Sequence, residues 1–139
     1  MFDHLSIGVA DLDKAMRFYD RVLAPLGIVR LVTSAAESDG HPWRSAGYGE
    51  DSGGADDHGA APFWLEQRSH PTVGGDGHHL CFAAATRDAV DAFHAAGIAA
   101  GGRDNGAPGM RPHYQPAGYY AAFLIDPDGW KIEAVTFQQ

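Results

Sequence analysis

The chain has a single cysteine in 139 residues, ten basic residues against 18 acidic ones, and no apolar run near the roughly 18 to 20 residues that span a bilayer. Each shortage excludes something. Cys81 has no partner for an internal disulfide, the pattern of a reducing compartment, and the cytoplasm is the expected location. A formal charge of −8 argues against a nucleic-acid partner, which calls for a basic patch to displace counterions. No membrane partner is expected either, and the opening "MFDHLSIGVADLDK" lacks the cationic and then apolar segments of a secretory leader. What remains is one domain with a small-molecule partner.

The apolar residues then lay out the elements. "FDHLSIGV" alternates as a half-buried strand, with Leu5, Ile7 and Val9 on one side and His4, Ser6 and Gly8 on the other. "DLDKAMRFYDRVLAPLG" switches to helical spacing: Leu12, Ala15, Met16, Tyr19, Val22 and Leu23 form a stripe, Asp11 or Asp13 caps the start, and Pro25 and Gly27 end it. Strands follow at "IVRLVTS", around "WRSAGYG" and at "APFWLEQ", with residues 37–61 otherwise rich in Gly, Asp, Ser and His. After a glycine-rich joint at 74–77 the pattern resumes. "HHLCFAAA" reads as strand, "TRDAVDAFHAAG" as a helix capped by Thr86, "IAAGGRD" as a short strand and "NGAPGMRPHYQPAG" as a loop. "YYAAFLI" and "WKIEAVTF" form a hairpin around "DPDG".

This resumption is a repeat. At a constant offset of 75, "HLSIGVADLDKAMRFY" lies over "HLCFAAATRDAVDAFH", so that His4 falls on His79, Leu5 on Leu80 and Phe18 on Phe93. The "GI" at 27–28 is matched with the "GI" at 97–98, and "FWLEQ" with "WKIEAV", which sets Glu66 against Glu133. The chain is thus read as a duplication of strand, helix and three strands.

The repeat gathers chemistry. Each first strand begins with a histidine turned away from the helix-packing side, and each last strand carries one glutamate. A pseudo-twofold arrangement would bring His4, Glu66, His79 and Glu133 into one cavity, a mixed nitrogen and oxygen set suited to a divalent ion such as Ni, Co, Mn, Fe(II) or Zn.

The stretches "DHLSIGVADLDKAMRFYDRVLAPLG", "HHLCFAAATRDAVDAFHAAG" and "YYAAFLIDPDGWKIEAV" resemble the vicinal oxygen chelate superfamily, which includes glyoxalase I, extradiol dioxygenases and the bleomycin resistance proteins. The resemblance covers nearly the whole chain. It implies an α+β fold: a single domain over 1–139 with two tandem βαβββ modules, about 1–73 and 74–139. They form a U-shaped mixed β-sheet cleft with helices on the outside. It also implies a homodimer, and a divalent metal held by His4, His79 and Glu133, with Glu66 at the fourth position. The activity it implies is that of a metal-dependent lyase or isomerase on a small oxygenated substrate: Glu133 or Glu66 moves a proton between adjacent carbons while the metal stabilises an enediolate-type anion. Two other readings stand beside it. With Glu66 off the metal, His4, His79 and Glu133 make the two-histidine, one-carboxylate set of an Fe(II) dioxygenase. A metal-free cleft would instead sequester a small molecule, as bleomycin resistance proteins do.

Plainer roles compete for the same residues. Neighbours on a strand point to opposite faces, so His78 reads as the solvated companion of His79. Glu133 has a cross-strand lysine as an alternative partner, and Glu66 has Arg68 or solvent. Cys81, on the His79 face, reads as a small packing residue, with Ser6 as its counterpart. Arg111, His113, Tyr114 and Tyr120, with Tyr119, sit at the edge of the long loop and are the candidate substrate contacts. A glutathione-sized anion would need further cations, for which Arg30, Arg44, Arg103 and Arg111 are available.

Overall fold

The computed structural model describes residues 2–35, 42–51, 61–114 and 116–138. The first module runs β1 (Leu5–Val9), α1 (Leu12–Leu23), β2 (Ile28–Ser34), β3 (Ser45–Glu50) and β4 (Phe63–Gln67). The second runs β5 (Leu80–Ala83), α2 (Arg87–Ala99), β6 (Arg103–Met110), β7 (Tyr120–Ile125) and β8 (Lys131–Thr136). Each module makes one four-stranded mixed sheet, ordered β1-β4-β3-β2 and β5-β8-β7-β6, with the parallel pair formed by its first and last strands. This is the tandem βαβββ architecture expected from the repeat. Residues 36–41 and 52–60, most of the segment rich in Gly, Asp, Ser and His, lie outside the described residues.

The helices start where the sequence caps them. The Asp11 carboxylate accepts from Lys14 N–H, and the Thr86 hydroxyl oxygen from Ala89 N–H. These caps, like the strand starts Leu5 and Leu80, keep the offset of 75. On α1 the buried stripe is Leu12, Ala15, Phe18, Tyr19, Val22 and Leu23, with Met16 packed at its margin.

The second module departs from expectation after α2. The helix continues through Gly97 and Ile98 to Ala99, and the next strand begins at Arg103 and takes in the first six residues of the stretch read as a loop. Gly97 is therefore not the counterpart of Gly27, which ends the first module's helical segment at φ 74°. Gly97 is a contact glycine inside the helix: a Cβ there would meet Leu124 Cδ1 at 2.2 Å, so only glycine lets α2 lie this close to β7. The chain turns at Gly101, φ 97°. The "NGAPG" run stays in β6 because its irregularities are absorbed as register shifts on either side of Gly106.

One core serves both modules. Ile7, Val9, Tyr48 and Leu65 cluster with Leu80, Phe93, Leu124 and Ile132 around the helices. A polar seam fixes the modules to each other. Tyr19 donates its hydroxyl to Asp126 at 2.8 Å, Ala10 N–H donates to Asp128 at 3.1 Å, and Trp130 Nε1–H donates to the Gly8 carbonyl at 2.9 Å. Burial pushes both the Tyr19 hydroxyl and the Asp126 carboxyl above their ordinary values.

Candidate metal and substrate site

Alternation along β5 and β8 builds the site. Leu80, Ile132 and Ala134 turn to the helices, which sends His79, Cys81 and Glu133 to the opposite face of the sheet, where Phe123 of β7 joins them. A cavity of about 680 Å³ opens there, lined by His79, Glu133, Tyr119, Phe123, Arg111 and Tyr114 among others.

Glu133 is wholly buried at its base. Tyr119 donates its hydroxyl to Oε1 at 2.5 Å, while Oε2 has no hydrogen-bond partner among the described residues. His79 Nε2 stands 3.0 Å from Oε2 without the alignment of a hydrogen bond. The other ring nitrogen, Nδ1, is 3.4 Å from the Gly77 carbonyl; as an N–H pointed there, it leaves Nε2 with a lone pair. In that tautomer Nε2 and Oε2 present two lone pairs to each other at 3.0 Å. The carboxylate also marks its neighbours: desolvation, then the charge of Glu133, push the Cys81 thiol up to about 12, and desolvation, then the hydrogen bond to Glu133, push the Tyr119 hydroxyl above its usual range.

A divalent cation fits this pair. Two ligands about 2.1 Å from an ion and at right angles to one another stand about 3.0 Å apart, the separation found between Nε2 and Oε2. No group of three or more potential ligands occurs among the described residues, so an ion held by this pair would need its other ligands from elsewhere.

The other expected ligands lie apart from this pair. His4, just ahead of β1, bonds Asp3 at 2.7 Å and lines a second, more apolar cavity of about 520 Å³, which shares His79 as a wall. Glu66 is held by an ion pair to Arg68, whose guanidinium stacks 3.3 Å above the Trp43 ring. The strand registers correct the pairing of the two glutamates. Leu5 faces Phe63 and Leu80 faces Ile132, so the first-module counterpart of Glu133 is Trp64, and Glu66 lies two residues further along the same face. A five-residue stretch with one glutamate permits either alignment; the register decides.

Of the expected substrate contacts, Arg111 and Tyr114 line the cavity, and exposed His113 is absent from its walls. Tyr120 points to the helix side, where its hydroxyl donates to Asp91 at 2.7 Å and Arg87 lies over its ring. Strand alternation gives the cavity position to Tyr119. Lys131 and Asn105 also line the cavity without having been singled out. Arg30 and Arg44 are committed to Asp20 and Asp13. His78 rests its ring 5.5 Å from that of Trp130.

Comparison with known proteins agrees with the fold and the repeat. The family model described as Glyoxalase/Bleomycin resistance protein/Dioxygenase superfamily matches residues 1–134, and the chain belongs to that superfamily. A glyoxalase/bleomycin resistance protein from Albidiferax ferrireducens T118 is 36% identical, with 97% of each chain covered and a TM-score of 0.72. Glyoxalase I from Zea mays shares the fold at 21% identity and a TM-score of 0.70; 97% of this chain matches 45% of that one, so the chain spans about half its length. A glyoxalase/bleomycin resistance protein/dioxygenase family enzyme from Burkholderia phytofirmans PsJN shares the fold too, at 21% identity, 98% coverage of both chains and a TM-score of 0.62. Among curated proteins no match is found. No helix among the described residues is long and apolar enough to cross a membrane.

Proposed function

We propose that the chain is a metal-dependent lyase or isomerase acting on a small substrate with adjacent oxygens, with His79 and Glu133 as metal ligands and Glu133 as the proton carrier. The observation that carries this reading is the buried, unpartnered Glu133 Oε2 facing His79 Nε2 at 3.0 Å. A buried carboxylate oxygen left without a donor costs stability, and it persists where function uses it. When bound, a divalent ion would polarise the substrate oxygens and offset the negative charge that builds on them. The protein's own part is to hold Glu133 Oε1 through the Tyr119 hydroxyl and to present Oε2, which would take and return a proton when it is released from the ion. Phe123 and the buried sheet face keep water from the carboxylate.

Glu66, tied to Arg68, has no part in this site. His4 enters from a second copy of the chain in a homodimer, because within one chain it is turned toward Asp3 in the neighbouring cavity. The commitment of Glu66 to Arg68 also favours a second reading, the Fe(II) dioxygenase, which needs only His4, His79 and Glu133. One experiment separates the two. Protein loaded with Ni, Co, Mn or Zn is assayed for isomerisation of a 2-oxoaldehyde–thiol adduct, and Fe(II)-loaded protein for oxygen uptake with a catechol. The proposal expects the first activity, at least a hundredfold lower in Glu133→Gln. Oxygen uptake alone would establish the second reading, and neither activity with any metal would overturn both.

A further inference from the structure

We infer that the substrate of this cavity is an anion, a small molecule with a carboxylate and an apolar or aromatic body, and that Arg111 is the residue that reads its charge. The inference rests on the cavity being the substrate site, as proposed above, and adds the class of molecule it takes.

In a chain with 18 acidic residues and ten basic ones, this cavity places Arg111 and Lys131 on its wall and a single carboxylate, Glu133, at its base. Among the described residues Arg111 has no carboxylate partner. Its contacts are the Ala107 carbonyl at 2.7 Å and the Met110 carbonyl at 3.4 Å, which take two of the five N–H donors of a guanidinium. The remaining donors match the two oxygens of a carboxylate. Among the described residues Lys131 pairs with fully exposed Asp76 alone, at 3.8 Å.

The backbone around Arg111 is shaped to hold the guanidinium there. The irregular stretch of β6 carries Gly106, at φ 149°, and Gly109. A Cβ on Gly109 would approach Arg111 Nη1 to 3.2 Å, and one on Gly106 would approach Nη2 to 3.5 Å while pressing Phe123 at 3.0 Å. The guanidinium thus lies along the glycine backbone of β6, closest at Gly109. The Arg111 N–H also donates to the Tyr119 carbonyl at 2.8 Å, closing the loop between them and setting Arg111 beside the tyrosine that holds Glu133. Phe123 is common ground: the guanidinium carbon lies 5.5 Å from its ring centre and the His79 ring 6.4 Å. A molecule with its carboxylate on Arg111 would lay its body across Phe123, under the Tyr114 and Tyr119 rings, and bring its reactive carbons to His79 and Glu133.

The test is binding. Phenylacetate and the neutral phenylacetamide are titrated into chelator-treated protein by ligand-observed NMR, so that bound metal contributes nothing. Wild type is expected to bind the carboxylate at least tenfold more tightly than the amide. Arg111→Gln should lose that preference with amide affinity changed less than twofold, Lys131→Gln should lose two- to threefold in carboxylate affinity, and exposed Arg103→Gln should match wild type. Equal binding of acid and amide by wild type, no binding of either, or a preference that survives Arg111→Gln would overturn the inference. Glu133→Gln keeps the preference if the inference holds, whether or not the variant shows that Glu133 serves metal and proton, so the two ideas fail separately.

Discussion

Trp64 occupies in the first module the place that Glu133 occupies in the second: each is the residue after the one that faces the leucine opening its module. The exchange has a steric logic. Trp64 faces Gly47 across the ladder, and a Cβ on Gly47 would sit 3.0 Å from the indole, whereas Glu133 faces Phe123. The first sheet spends its floor on a large ring. The second puts the ring on the neighbouring strand and leaves the rung beside it to a carboxylate.

The two residues should respond oppositely to substitution. Trp64→Ala leaves Gly47 facing a void and should cost about 2–3 kcal/mol, somewhat below the cost for a fully buried aromatic because the indole is only partly buried. Glu133→Gln removes a buried charge with an unpartnered oxygen and should stabilise the metal-free protein by about 1 kcal/mol. Urea unfolding with chelator present measures both.

Glu66→Gln should leave metal retention unchanged and shift stability by no more than about 1 kcal/mol, the range of a partly exposed ion pair. Metal analysis beside a urea midpoint checks this. Loss of metal on that substitution would restore Glu66 to the ligand set.

The seam between modules gives a pH effect of definite sign. Burial holds the Asp126 carboxyl above the ordinary 3.8, so the folded protein keeps a proton that the unfolded chain has released just above that pH. This residue's contribution to stability therefore falls as pH rises through the window between 3.8 and its folded value. Asp126→Asn has no such proton to lose. The stability difference, wild type minus variant, should decline with pH across that window in urea titrations. Tyr19→Phe should cost about 2 kcal/mol at neutral pH by losing a buried bond to a carboxylate, and Tyr120→Phe, at the exposed Asp91 bond, less than about 1.

If His4 completes the site from a second copy, mixing His4→Ala with Glu133→Gln should rebuild intact sites. Random reassociation gives half mixed dimers with one good site in two, hence about a quarter of wild-type metal after unfolding and refolding together. No recovery above the separate variants would place His4 in the site of its own chain or outside it.

Much of this was legible in the residues. Alternation in "HLSIGV" and "HHLCFAAA", the caps Asp11 and Thr86 and the offset of 75 carry the two βαβββ modules, whereas His78 and His79 both precede β5 and both line the cavity, so alternation does not part them there. The misreadings have physical causes. Gly97 looked like a helix stop but is a contact glycine against Leu124, a tertiary fact with no local mark. "NGAPG" has turn composition yet stays paired, because bulges absorb it. Glu66 was matched to Glu133 by residue type, where only the parallel register reveals Trp64. Tyr120 in place of Tyr119 was an error of one residue at a strand start, which reverses the face.

The most direct measurement is elemental analysis of untagged protein prepared without chelators, as wild type, His79→Ala and His78→Ala. The account predicts near-stoichiometric divalent metal in wild type and His78→Ala and its loss in His79→Ala. Metal absent from wild type, or lost equally from both variants, would contradict it.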